Sequence, residues 1–309
     1  MPDRATNAPR LFWHRKRHGA DHSPLAAWGL AMPSILLLVG LMLLPILIVV
    51  MLSFTDYELG NRSVAWVGFD NYRDLWSNSV FWRALGNTLS YVAIVVPGAV
   101  ILGLLQAVLV KNLVWGRQLY RVLFFLPVTS TLVAMATVWK YLMHGTIGPI
   151  NLFLAWLGFA PVEFFGDPDL VLFALAVIGI WALAGFNMVL FTAGLSTIPD
   201  DLYEAASVDG LDHPLDRFFR ITLPMLAPTT VFVTITSTIT AFKIFDTVAV
   251  LTRGGPQGAS DVLLYTTYLE GFQYLRMAPA AAMTVIFLLI ILALALLQNR
   301  ILDRKERTQ

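Results

Sequence analysis

The sequence predicts an all-α integral membrane protein with six transmembrane helices, on the basis of its composition, its long apolar stretches and the placement of its basic residues. Of its 309 residues, 57% are hydrophobic and only 13% are charged, whereas soluble domains average about 25% charged residues. A globule of this size cannot bury so much apolar surface. The net charge of +1 gives no reason to expect a nucleic-acid partner, and the absence of cysteine excludes disulfides, thiolate metal sites and a cysteine nucleophile.

Six stretches are long and apolar enough to cross a bilayer, which takes about 20 residues per helix. They are residues 26–53, 85–110, 119–143, 170–195, 225–251 and 278–298. Prolines in the first three predict kinks, since membrane helices tolerate proline where neighbouring groups satisfy the freed carbonyls. The first stretch is too long for the apolar region of a cleaved signal peptide, so we interpret it as an uncleaved first span.

Basic residues predict that both chain ends lie in the cytoplasm, because lysine and arginine are enriched in cytoplasmic segments. With that topology, 14 of the 21 lysines and arginines lie inside and five lie outside. An alternative is that those in the tails only aid solubility. The predicted organisation is a cytoplasmic N-terminal tail (1–25), a six-span transmembrane domain (26–300) and a cytoplasmic C-terminal tail (301–309).

A loop at 196–224 joins the fourth and fifth spans on the cytoplasmic side. Its segment STIPDDLYEAASVDG predicts a short helix over 200–209, with proline in the first turn, acidic residues at the positive end of the helix dipole, and Gly210 as a left-handed exit residue. A second helix is expected to start at Pro214, with Asp212 as a possible cap. Glu204, Ala205 and Ala206 would let another protein approach the backbone closely; the alternative is a plain re-entry loop.

Two charged residues fall inside the fifth span, where insertion of each costs about 2.5–3.5 kcal/mol. Lys243 and Asp246 are three residues apart and are expected on one helical face. They either pair with each other or line a solute pathway. In the fourth span, Trp181, Phe186 and Asn187 offer flat aromatic rings and an amide, the groups that fit the apolar face and polar rim of a sugar.

The segment Glu204-Ala-Ala-x-x-x-Gly210, followed by Ile221-x-Leu223-Pro224, resembles the EAA loop in the permease subunits of bacterial ABC importers. Together with LTRGGP (251–256), it resembles the carbohydrate-uptake branch, which includes maltose-type and glycerol-3-phosphate-type permeases. The chain departs from the family pattern by one extra residue between Gly210 and Ile221, which puts in doubt where Arg217 and Phe218 lie.

The resemblance implies that the loop is a coupling helix docking on a cytoplasmic ATPase dimer that carries ATP and Mg²⁺. The coupling residues would be Glu204, Ala205, Ala206, Asp209 and Gly210. It further implies a bacterial inner-membrane location, a second homologous permease subunit, an extracytoplasmic solute-binding protein, and a solute cavity among these spans near the membrane midplane.

Catalysis within the chain is not expected. The sequence has no phosphate-binding loop of the G-x-x-x-x-G-K-[ST] type, no nucleophile elbow and no zinc-binding helix motif, and His144 has no second ligand at metal-binding spacing. We therefore expect no enzyme activity, no metal and no cofactor in this chain. Two alternatives stay open: an ion-coupled secondary transporter of a small polar solute, which would leave the coupling loop unexplained, and a membrane scaffold without a transport role.

Overall fold

The computed structural model describes residues 24–61, 63–113 and 115–306. Nearly all of the predicted N-terminal tail lies outside the described residues, as do Arg62 and the last three residues of the C-terminal tail. The chain divides into two compact units, Met1–Ile48 and Val49–Gln309.

The first unit is helical wherever the structure describes it. Helix α1 (Pro24–Leu38) is followed by a π-helical turn (Val39–Leu43) and by α2 (Leu44–Leu52), whose last residues belong to the second unit. Pro45 has no amide hydrogen to donate, and the widened turn directly before it accommodates the lost bond. The irregularity that the structure shows in this span is thus a π turn.

The second unit consists of helices and connecting segments. In chain order the helices are α3 (Asp70–Ser77), α4 (Ser79–Asn112), α5 (Arg117–Thr129), α6 (Leu132–Leu142), α7 (Pro149–Trp156), α8 (Val171–Ser196), α9 (Asp200–Val208), α10 (Pro214–Arg217), α11 (Leu223–Met225), α12 (Ala227–Phe242), α13 (Leu263–Tyr268) and α14 (Met277–Glu306). Three further π turns are Phe218–Thr222, Val248–Thr252 and Leu269–Gln273. Within the described ranges, extended pairing is limited to one isolated bridge between Thr55 and Trp66.

Four helical segments are long and apolar enough to cross a membrane, and up to six are if each of two bent helix pairs forms one span. The four are Leu30–Leu52, Ser79–Asn112, Val171–Ser196 and Met277–Gln298. The all-α membrane class and several of the predicted spans are therefore confirmed.

The two bent pairs correspond to the third and fifth predicted spans. Helices α5 and α6 meet at 104°, shortly after Pro127, and the pair Pro214–Met225 and α12 meets at 68°. The prediction of one apolar helix over 225–251 was wrong at its C-terminal end. Helix α12 ends at Phe242, and a turn followed by a π turn continues the chain.

Helices α4 and α8 pack along each other and form the centre of the second unit. Glycines allow the close approach: a Cβ added at Gly103 of α4 would lie 2.5 Å from Cβ of Asn187, and one added at Gly185 of α8 would meet the carbonyl of Phe124 in α5. Such small residues are typical of helix contacts in membranes, where close backbone approach supplies the packing energy. One apolar cluster built on Val110, Met188 and Leu226 extends to Tyr203 and so holds α9 against the bundle.

We expect Gly103→Ala to destabilise the purified protein by about 1–3 kcal/mol, as overpacked cores generally are. The added methyl group would press on backbone atoms of Ala184 and Met188 at 3.1 Å as well as on Asn187. Gly86→Ala in the same helix is the control, because no atom lies within 4 Å of its added Cβ. Thermal unfolding in detergent should show a lower midpoint for the first variant and an unchanged or higher one for the second; equal midpoints would contradict this packing.

Candidate functional site

Helix α9 is the predicted cytoplasmic helix, and its ends follow from its sequence. Pro199 lies at the cap position with extended backbone instead of in the first turn, and Asp200 and Asp201 open the helix near its positive dipole end. Gly210 has a φ of 80°. The Gly210 amide donates to the Ser207 carbonyl at 3.1 Å and the Leu211 amide to the Ala206 carbonyl at 2.8 Å. This bond pair is a Schellman motif, which satisfies the last carbonyls of the helix.

The outer face of α9 carries an exposed stripe of side chains. Asp201, Glu204, Ala205 and Val208 occupy positions i, i+3, i+4 and i+7 and all are exposed, so they share one face of the helix. Val208 is 89% exposed, although its side chain is apolar. A partner could approach the backbone of α9 closely at Ala205 and would bury the apolar side chain of Val208.

Not all of the predicted coupling residues lie on this stripe. Ala206 is buried against the bundle, whereas Asp209 and Gly210 are exposed at the end of the helix. Sequence reasoning did not single out Val208, and the spacing of Glu204 and Ala205 relative to it was the signal that could have identified it.

The inner face of α9 is held by polar contacts to two other helical segments. The Tyr203 hydroxyl and the Thr222 hydroxyl lie 2.9 Å apart and hydrogen-bond. The Lys111 ammonium at the end of α4 lies 5.3 Å from the centroid of the Tyr203 ring, a cation–π geometry, and donates to the Leu195 carbonyl at 3.4 Å. A displacement of α9 would therefore disturb contacts to α4, to α8 and to the π turn Phe218–Thr222 at the same time.

Arg217 closes the loop that follows α9. Its Nε donates to the Leu211 carbonyl at 2.6 Å and its Nη2 to the Ser207 hydroxyl at 2.7 Å, and Nη2 also pairs with the Asp212 carboxylate at 3.2 Å. Asp212 is therefore not the cap that the sequence predicted. His213 is the cap of α10, where its Nδ1 accepts from the Leu215 amide at 3.3 Å. The start of α10 at Pro214 is confirmed.

The predicted pathway residues of the fifth span do not share a helical face, so that expectation was wrong. Lys243 is the residue after the last residue of α12, and Asp246 follows the break in the helix. Both side chains are exposed. Among the described residues, the ion pairs do not include one between these two side chains.

The predicted pathway residues of the fourth span point to different surroundings. Trp181 makes an edge-to-face contact with Trp139 of α6 at 5.5 Å between ring centroids, and Phe186 is exposed. Asn187 is fully buried: its Oδ1 accepts from the Ser237 hydroxyl at 3.1 Å, while its Nδ2 has no partner within the described part of the chain. A role in solute binding for these residues stays a prediction.

The loop after the fifth span is fastened to the start of α4. The Asn87 amide donates to the carbonyls of Gly258 and Asp261 at 3.1 and 2.9 Å, and Arg83 pairs with the Asp261 carboxylate at 3.3 Å. Burial raises the pKa of Asp261, and the Arg83 guanidinium partly opposes that rise. The residues that follow LTRGGP are thus held at the start of α4, the opposite end of that helix from the Lys111 contact with α9.

Metal binding finds no support in side-chain geometry. In the ranges that the structure describes, no group of three or more His, Asp or Glu side chains could hold a metal ion. His144 is exposed and its Nδ1 lies 3.3 Å from the Thr146 amide, which donates to it.

Comparisons with known proteins identify relatives across nearly the whole chain. The model of a family described as binding-protein-dependent transport system inner membrane component matches residues 76–308. The chain is 33% identical over 282 residues to the probable ABC transporter permease protein YesP of Bacillus subtilis, covering 90% of each chain. It is 30% identical over 283 residues to the sn-glycerol-3-phosphate transport system permease protein UgpA of Pectobacterium atrosepticum, covering 91% of this chain and 95% of that protein.

A solved structure has the same fold. It is a crystal structure of a bacterial ABC transporter involved in the import of the acidic polysaccharide alginate, and it aligns with a TM-score of 0.80 at 24% identity. The alignment covers 91% of this chain and 96% of that chain. A second structure of this kind, aligned with the same TM-score, contains an alginate pentasaccharide-bound periplasmic protein.

Proposed function

We propose, from the premise that this chain belongs to the family of binding-protein-dependent transport system inner membrane components, that it forms half of the translocation pathway of an ATP-driven importer. The solute class that we propose is a sugar or a related polyol or glycerol phosphate. Relatives named for sn-glycerol-3-phosphate transport and a fold neighbour that imports alginate support this class. An extracytoplasmic binding protein would deliver the solute, and a second homologous permease would complete the pathway.

The observation that carries this proposal is the two-sided construction of α9. Its outer stripe of Asp201, Glu204, Ala205 and Val208 is free to enter a cleft, while its inner face is fixed by Tyr203 to the bundle. Val208, at 89% exposure, is an apolar surface that a docked partner would bury. We propose that this cleft lies on an ATPase dimer, which binds ATP and Mg²⁺.

The mechanism that we propose transmits motion through rigid helices. Closure of the two ATPase subunits on ATP would shift α9. Helix α8 precedes α9 in the chain and α12 follows it, and these two helices would transmit the shift into the membrane. Hydrolysis would return the bundle to the inward-facing arrangement. Such rigid-body rocking about a packed interface is a common form of two-state switching in proteins.

The topology that we propose places α9 and both termini in the cytoplasm. Lys111, Arg117 and Arg121 lie at the same end of the bundle as α9, because Lys111 contacts Tyr203 and all three line one cavity with Asp200. Basic residues at one end of a membrane bundle favour the cytoplasmic side for that end.

Transport into sealed vesicles tests the proposal against the ion-coupled alternative. In everted vesicles the cytoplasmic face of the complete transporter is on the outside, and the binding protein and the solute are enclosed. When ATP and Mg²⁺ are added outside and the proton and sodium gradients are collapsed, solute should leave the vesicles. Vesicles given an ion gradient without ATP serve as the control and should show no transport. Gradient-driven transport without nucleotide would overturn the importer proposal.

A further inference from the structure

A cavity of about 490 Å³ opens between the ends of α4, α5 and α8, near the start of α9. Three cationic side chains line it: Lys111, Arg117 and Arg121. Its other polar lining groups are Thr192, Ser196 and Asp200, and the rest of its wall is apolar. Its volume is within the range of about 300–1,000 Å³ that is common for ligand sites.

The described residues do not balance the positive charge of this cavity. Among the residues that the structure describes, no carboxylate lies within ion-pairing distance of these three cations. Both hydroxyl groups already donate to backbone carbonyls, Thr192 to Met188 and Ser196 to Ala193. With Asp200 as the one acid of the lining, the cavity keeps a positive surplus that favours an anion.

Arg117 and Arg121 supply the geometry for a phosphate. They are one helical turn apart on α5 and both face the cavity. Their planar guanidinium groups bind phosphate oxygens through two parallel hydrogen bonds, which is why arginine is frequent at phosphate sites. Lys111 adds a third charge from α4.

The apolar surroundings distinguish a lipid from a soluble anion. Trp115, just before α5, is 91% exposed, and Leu119 and Val122 on α5 are exposed as well. Val189 is exposed and forms part of the cavity wall itself. Exposed tryptophan marks the level of the lipid headgroups, so the three cations lie where the hydrocarbon layer gives way to water.

We propose that this cavity binds the phosphate headgroup of an anionic phospholipid, with an acyl chain against the apolar wall that includes Val189. Basic pockets between membrane helices are a known type of site for such headgroups. The assignment to the cytoplasmic leaflet rests on the topology given under Proposed function, whereas the binding itself does not. Since Lys111 also contacts Tyr203, the bound lipid would steady the base of α9.

Lipid retention by the purified full chain tests this site. The chain, in detergent with added phosphatidylglycerol or phosphatidylcholine, is analysed by native mass spectrometry. We expect selective retention of phosphatidylglycerol, and a decrease on the order of tenfold in the double variant Arg117→Gln and Arg121→Gln, because each basic group near a membrane surface contributes appreciably to anionic-lipid binding. The double variant with lysine at both positions should keep most of the retention. Arg73→Gln should keep all of it, because Arg73 is an exposed cation on α3, next to the start of α4 and so at the opposite end of that helix from Lys111.

Three outcomes would overturn the proposal. Equal retention by the wild type and the glutamine variant would show that the cations do not hold the lipid. Displacement of the lipid by inorganic phosphate at equal concentration would favour a soluble anion. If the glutamine variant kept its lipid but, when purified from cells that make the whole transporter, no longer brought ATPase subunits with it, the cavity would be a protein interface. Because the measurement needs neither ATP nor solute, failure of the transport experiment would leave its result standing.

Discussion

Glu204→Lys is expected to abolish ATP-driven solute uptake while the chain still inserts in the membrane. Glu204 is exposed in the middle of the α9 stripe, where it contacts no cation among the described residues. In a docked complex its carboxylate would lose water and require a partner of opposite charge. Truncating one member of such a buried pair costs about 2–5 kcal/mol, and reversing the charge costs more, so binding would weaken by well over tenfold.

Two measurements check this result. Uptake of labelled solute by whole cells should fall to background, and the amount of ATPase that co-purifies with the chain should fall with it, while the amount of chain in the membrane fraction stays constant. Asp216→Lys is the matched control, since Asp216 is exposed in the same loop but lies on α10, away from the stripe. Normal uptake by Glu204→Lys would remove α9 as the route of coupling, and equal loss in both variants would show a general charge effect.

The ends of α9 were predictable because local chemistry determines them. Acidic residues in the first turn and Gly210 at the exit act within a few residues of the helix end, and the structure has α9 over Asp200–Val208. Long apolar runs likewise identified the membrane class, since a bilayer imposes a minimum helix length. Both signals are properties of a short stretch of chain and need no knowledge of its neighbours.

Proline predicted that the third span bends, but the size of that bend and the break after α12 were not predictable, because they depend on neighbouring helices. Pro127 gives no measure of the 104° bend that follows it, and no glycine or proline directly follows Phe242 to signal the end of α12. For this reason Lys243 and Asp246 were wrongly expected on one face. Asn187 illustrates the same limit: its burial results from Gly103 and Ser237 on two other helices.

The sequence left the placement of Arg217 in doubt, because the extra residue after Gly210 departs from the family spacing. In the structure the Arg217 side chain is about one-third exposed, and its guanidinium donates hydrogen bonds to the carbonyl of Leu211 and the hydroxyl of Ser207. Leu211 is also the residue whose amide closes the Schellman motif on Ala206. One side chain therefore joins the last turn of α9 to the first residues after it, and the extra residue is accommodated within that closed loop.

Arg217→Gln is expected to lower the amount of solute moved per ATP hydrolysed by several-fold, with ATPase binding kept. Loss of hydrogen bonds from a charged donor costs about 1.5–3 kcal/mol, which is enough to let the end of α9 move without the bundle. The ratio of uptake to phosphate release in proteoliposomes measures this directly, whereas damage to folding would lower both rates and leave their ratio unchanged. Arg220→Gln is the control, because Arg220 is exposed three residues further along. Arg217→Lys should recover only part of the ratio, since an ammonium group lacks the planar fork that reaches both oxygens. An unchanged ratio in Arg217→Gln would show that α9 is held by Tyr203 and Thr222 alone, and that Arg217 has no part in transmitting force.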